Sequence, residues 1–119
     1  MKHICIVDDD DAVRDSLAAL LEACGYRALS FSSADDFLDK CDGKDVLCLL
    51  IDVHMPGMNG LELLGLLRAR GVDLPAILIT AAANATLRAQ AENLGARTML
   101  EKPIVSTALL DAIAEVGEA

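Results

Sequence analysis

Carboxylate, hydroxyl and amine side chains in this chain collect where apolar runs end. Asp8, Asp9, Asp10 and Asp11 follow the run HICIV (3–7), and Asp52 follows DVLCLLI (45–51). Thr80 closes PAILIT (75–80), and Lys102 with Pro103 comes just after RTML (97–100). Crowded carboxylates repel and resist ionisation unless a cation is present. Asp8, Asp9 and Asp52 can thus offer oxygens to a hard divalent ion. Mg²⁺ takes six oxygen ligands at about 2.1 Å, usually one or two carboxylates with waters and phosphate. The backbone carbonyl of His54 can add another ligand. A lysine opposite the metal supplies a second positive charge, and a threonine hydroxyl a donor. That set suits a phosphoryl group, whose oxygens need neutralising during transfer. Asp52 is then the nucleophile, because carboxylates accept phosphoryl groups. The acyl phosphate so formed is labile, which makes the modification temporary.

The elements that must position these residues follow from hydropathy. HICIV (3–7) is β-branched and apolar and reads as a buried strand. In the following DDDDAVRDSLAALLEACG, residues Val13, Leu17, Leu20, Leu21 and Cys24 recur at helical spacing. Asp9 or Asp10 can cap that helix and Gly25 can end it. RALSF (27–31) alternates weakly and is a second strand; SSADDFLDKC (32–41) is a short helix with a serine cap. The run 45–51 is apolar throughout, which predicts a central strand. NGLELLGLLRARG (59–71) is helical, its inner row either Leu61, Leu64 and Leu67 or Leu63, Leu66 and Leu67. A strand at 75–80, a helix at 84–95 ended by Gly95, a strand at 97–100 and a helix at 106–117 complete the pattern. In the helix at 84–95, Leu87, Ala91 and Leu94 form the expected inner row. Strand and helix alternate five times, which demands an α/β fold: a doubly wound parallel sheet with right-handed crossovers and helices on both faces. Function in such sheets sits beyond the carboxyl ends of the strands, where the polar residues above are placed.

Composition narrows the function classes. The 119 residues are 54% hydrophobic but only 3% aromatic, with no Trp, so the core is aliphatic. A single domain of common size is expected. The net charge of −9 disfavours nucleic acid and anionic lipid as direct partners and suits cations. No run approaches the ~20 residues of a membrane span, and no signal peptide is visible; a reduced, cytoplasmic protein is expected. Cys5, Cys24, Cys41 and Cys48 form no C-x-x-C pair and read as structural residues. An EF-hand is excluded, because DDDDAVRD lacks the glycine and closing glutamate of that loop. A phosphohydrolase of the haloacid dehalogenase type carries a second acid two residues after its nucleophile, and here that residue is His54. An interaction module without phosphate chemistry would have no need of the full polar set.

IVDDDDAVRDSL, LLIDVHMPGMNG, ILITA and EKP occur in one order along the chain. In these motifs and their spacing, the chain resembles the receiver domain of two-component response regulators over its full length, 1–119. The resemblance implies a flavodoxin-like fold of strand order 2-1-3-4-5 with five helices. It implies a switch, not a turnover enzyme. Asp52 would take a phosphoryl group from a sensor histidine kinase or a phosphotransfer protein, with Mg²⁺ as cofactor and Mn²⁺ as a substitute. Asp9 matches the direct metal ligand and Asp8 the residue holding metal-bound water. Thr80 matches the hydroxyl that swings to the phosphoryl, Ala81 and Lys102 contact it, and the bond before Pro103 is expected to be cis. Met99 stands where the family commonly has Tyr or Phe, and Ile104 where it often has Phe. His54 and Ala82 occupy the positions that tune phosphate lifetime. The output surface would be the helix at 84–94, the strand at 97–100 and the helix at 106–117, read by an attached domain or a protein partner. A stand-alone regulator and a domain of a longer protein both fit.

Overall fold

The computed structural model describes residues 2–118. Its elements, in chain order, are β1 (His3–Val7), α1 (Asp11–Ala23), β2 (Arg27–Phe31), α2 (Ala34–Lys40), β3 (Val46–Asp52), α3 (Gly60–Ala69), β4 (Ala76–Thr80), α4 (Ala85–Asn93), β5 (Thr98–Glu101) and α5 (Ser106–Glu118). The five strands are parallel and ordered β2-β1-β3-β4-β5. This is the flavodoxin-like doubly wound sheet. β3 runs one residue beyond the expected limit, so Asp52 is the last residue of the strand and does not follow it.

Alternation along the strands divides the core into two layers. Cys5 and Val7, Leu49 and Ile51, and Ala76 and Leu78 face α2, α3 and α4. Ile4 and Ile6, Cys48 and Leu50, and Ile77 and Ile79 face α1 and α5. The period-2 geometry of a strand fixes this split. It also aims the functional residues. Asp8 continues the row of Ile4 and Ile6, Asp52 that of Cys48 and Leu50, while Thr80 continues the opposite row of Ala76 and Leu78.

Side-chain caps start α1 to α4. Asp10 accepts from the N–H groups of Ala12 and Val13, which settles the choice between Asp9 and Asp10 and leaves Asp9 free of capping duty. Ser33 and Asn84 cap α2 and α4, and Asn59 forms a reciprocal capping box with Glu62 on α3.

Two inner rows differ from expectation. Cys24 is exposed as the C-cap of α1, because the helix ends at Ala23, one residue before the apolar spacing suggests; Leu17 and Leu21 are its buried residues. On α3, Leu63, Leu64 and Leu67 are buried with Gly60, a combination of the two expected rows. The α4 row agrees: Leu87 and Ala91 are buried and Leu94 packs against them half-buried.

Candidate functional site

Among the described residues, the buried polar or charged ones are Asp8, Asp52 and Thr80. All three sit at the carboxyl rim of the sheet. Burying a carboxylate is costly unless it is paired, so the rim has a chemical reason to hold two of them. Lys102, half-buried just beyond β5, pairs with both: its Nζ lies 3.3 Å from Asp8 Oδ2 and 3.5 Å from Asp52 Oδ1. Asp8 Oδ1 also accepts from the Asp10 N–H at 2.9 Å, and Asp52 Oδ1 from the His54 N–H at 3.4 Å.

Asp9 is exposed, yet the carboxylates of Asp8, Asp9 and Asp52 each bring an oxygen within 4.8 Å of the others. Burial pushes the Asp52 carboxyl above the ordinary carboxylate range, and the charge of Asp8 adds to this; Lys102 and the His54 N–H pull it back without cancelling the rise. For Lys102, burial disfavours the ammonium, but Asp52 and Asp8 outweigh it and its pKa is raised. An ordinary ion pair raises the base and lowers the acid. Here both are raised, because burial first, and then the charge of Asp8, lifts Asp52 by more than the one shared ammonium offsets. Lys102 has more negative charge beside it than it needs, and Asp52 less positive charge. The rim is therefore short of positive charge, and its donors are hard oxygens. That is the donor set a divalent cation such as Mg²⁺ takes.

Thr80 is fully buried, and its Oγ1 accepts from the N–H of Ala82 at 3.2 Å within its own loop. The structure thus joins Asp8, Asp9, Asp52 and Lys102 in one cluster and leaves Thr80 on the adjoining row, with Ala81 exposed beyond it. His54 is exposed; its N–H, not its side chain, meets Asp52. The Lys102–Pro103 bond is cis. Met99 is buried between α4 and the sheet, in the layer of Leu78 and Leu87.

Three supporting residues were not evident as such from the sequence. A Cβ on Gly60 would lie 2.3 Å from the backbone oxygen of Asp52, so only glycine lets α3 start against the strand end that carries Asp52. Its N–H also donates to Val53 O at 3.0 Å. Arg14 donates to the backbone oxygen of Asp8 at 2.6 Å and pairs with Asp11, which holds the acidic loop to α1. Glu101 accepts from the Ala83 N–H at 3.3 Å, a link from β5 to the loop after Thr80. The NG dipeptide before α3 is visible as a helix start; the close approach at Gly60 depends on a strand it touches only after folding.

The parallel sheet of this order carries two buried carboxylates and a lysine at its carboxyl rim. The chain belongs to the response regulator receiver domain family, whose model matches residues 4–114. It is 44% identical over 108 residues to the transcriptional regulatory protein FixJ of Azorhizobium caulinodans, covering 91% of this chain and 51% of that protein. The crystal structure of FixJ-N superposes with a TM-score of 0.89 at 33% identity, over 99% of this chain and 94% of the other. A CheY-like receiver domain protein from Methanospirillum hungatei gives a TM-score of 0.89 at 32% identity, over 99% and 95% of the two chains. The chain spans about half the length of the FixJ relatives. Among the described residues, no helix is long and apolar enough to cross a membrane.

Proposed function

We propose that this chain is a phosphoacceptor switch in which Asp52 takes a phosphoryl group from a phosphohistidine on a sensor kinase or phosphotransfer protein. One observation carries the reading. Asp52 ends the central strand, is 3% exposed, and shares Lys102 with a second buried carboxylate. A carboxylate kept in so poorly compensated a place is poised to exchange its charge for a bond.

In the transfer, an Asp52 oxygen forms the new O–P bond as the P–N bond to the donor imidazole breaks. The electron pair returns to the imidazole nitrogen, which then takes up a proton. Mg²⁺, held by Asp9 and Asp52 with the His54 carbonyl and by Asp8 through water, would neutralise the phosphoryl oxygens. Lys102 already stands between Asp8 and Asp52, and can follow the phosphoryl charge with little motion. Thr80 would give up the Ala82 N–H and turn its hydroxyl to the phosphoryl, with the Ala81 N–H close behind. This moves the 81–83 loop and with it α4, β5 and α5, the surface an output domain or protein partner would read. Met99, flexible where an aromatic ring is usual, makes the adjustment graded. The reading makes the chain a cytoplasmic signalling component, a switch and not a turnover enzyme, with no direct contact to nucleic acid.

Incubating the chain with acetyl phosphate, with Mg²⁺ and with EDTA, tests this by intact mass. One phosphoryl group should be gained with Mg²⁺ and none with EDTA. Labelling equal in both would reject the metal-dependent reading, and labelling in neither would reject the acceptor.

A further inference from the structure

Outside the acidic rim, two nucleophilic side chains touch. The Sγ atoms of Cys5 and Cys41 lie 4.0 Å apart, and both cysteines are free. Cys5 is fully buried in β1, facing α2; Cys41 is the half-buried C-cap of that helix. Cys41 also lines a cleft of about 140 Å³ between α2 and α3, whose wall includes Leu38, Leu67 and Arg70. A small oxidant can reach Cys41 there.

We propose that Cys5 and Cys41 form a dithiol switch that a peroxide closes into an intramolecular disulfide, with Cys41 oxidised first and Cys5 resolving it. The Cys41 thiolate attacks a peroxide oxygen; the O–O bond breaks, an S–O bond forms, and the hydroxide that leaves takes up the proton Cys41 had released, as water. The Cys5 sulfur then attacks the Cys41 sulfur. The S–S bond forms as the S–O bond breaks, and the Cys5 proton departs with hydroxide as water. Two thiols and one hydrogen peroxide become one disulfide and two waters.

The division of roles follows burial. Desolvation, with Cys41 and Cys48 nearby, holds the Cys5 thiol well above its ordinary range, so Cys5 does not react first. Burial pushes Cys48 up to about 12, and it packs in the opposite core layer. Cys24 is exposed on α1, which covers the other face of the sheet.

A disulfide needs its sulfurs about 2.05 Å apart, so the pair must close by roughly 2 Å. The segment that yields is 42–45, which is exposed throughout and has Gly43 at φ 78° and Asp45 at φ 55°. α2 is only seven residues long and its buried anchors, Ala34 and Phe37, leave its last residues free to follow. The bridge would pin α2 to the strand that ends in Asp8, and would constrain the unfolded chain between residues 36 apart in sequence.

The test treats the reduced, metal-free full chain with a small excess of hydrogen peroxide and reads intact mass and a non-reducing peptide map. The monomer should lose two hydrogens, the map should join the Cys5 and Cys41 peptides, and a phosphine reductant should reverse both. Oxidation should raise Tm. Cys24→Ser should behave as the parent, and Cys41→Ser, at a half-exposed position that tolerates serine, should lose the reaction. An unchanged mass, oxygen addition at Cys41 without the loss of hydrogens, a bridge mapped to another pair, or disulfide-linked dimers in place of the closed monomer would each overturn the proposal.

Discussion

Lys102 is one ammonium between two buried carboxylates, and the consequences at the residue scale can be measured without any phosphoryl donor. Because burial raises the Asp52 pKa in the folded chain, the folded state binds that proton more tightly than the unfolded chain does. Stability is then lost as pH rises from the ordinary carboxylate value through the raised one. Asp52→Asn removes that loss. In EDTA at pH 7 the variant should melt a few degrees above the parent. The gain should disappear at about pH 3, where Asp52 is protonated in both states. Melting curves that keep the same separation at both pH values would contradict the assignment. Asp9 is exposed and not engaged in capping, and in the proposed site it would contribute repulsion without metal and a ligand with it. Asp9→Ala should therefore hold or raise Tm in EDTA and lose most of the rise that Mg²⁺ gives the parent; calorimetry in paired buffers would show an undiminished rise if Asp9 is no ligand. These charged residues were legible in the sequence because strand ends collect function in such sheets. The deficit of positive charge was not, since it depends on which oxygens Lys102 reaches.

The helices divide into those the sequence positions and those that neighbours hold. α3 begins against the backbone of Asp52, and Gly60→Ala would force a Cβ into a backbone oxygen. Overpacking of this kind costs about 1–3 kcal/mol; denaturant unfolding should show that loss, and a variant as stable as the parent would mean the contact is loose. α4 is held differently. Leu87 and Ala91 are its only buried residues, and burying a leucine is worth about 1.5–3 kcal/mol and an alanine far less. Its C-terminal end is tied by Arg68, which donates to the backbone oxygens of Leu94 at 2.9 Å, Val72 at 3.0 Å and Leu74 at 2.9 Å. α4 should move mainly at its N-terminal end, next to the loop 81–83. Hydrogen exchange with and without a phosphoryl mimic should show its largest change in that loop and the first turn of α4, and less in the last turn. A change centred on α1 or α2 would contradict this. Periodicity located every strand and helix to within a few residues. It failed at Cys24 and on the α3 inner row because four-residue spacing carries no information about where a helix stops or which of two leucine rows meets the sheet. Arg68 was silent for a related reason: its partners on the α4 end lie 26 residues away in sequence.

At the scale of the whole molecule, the parallel order β2-β1-β3-β4-β5 puts β3 between β1 and β4, and so brings Asp52 beside Asp8 on one side and Thr80 on the other. Alternation of strand and helix made the doubly wound sheet readable; the strand order came from the resemblance to a family, because hydropathy does not say which strands are neighbours. The same two-layer core that buries Asp8 and Asp52 over α1 and α5 places Thr80 over α3 and α4, so a group attached to Asp52 can address both layers at once. The acceptor role of Asp52 is measured most directly by reduction with borohydride after labelling with acetyl phosphate and Mg²⁺, followed by peptide mapping. An aspartyl phosphate is converted to homoserine, and homoserine is expected at residue 52 alone. Homoserine at Asp8, Asp9 or any other acid, with Asp52 intact, would contradict it.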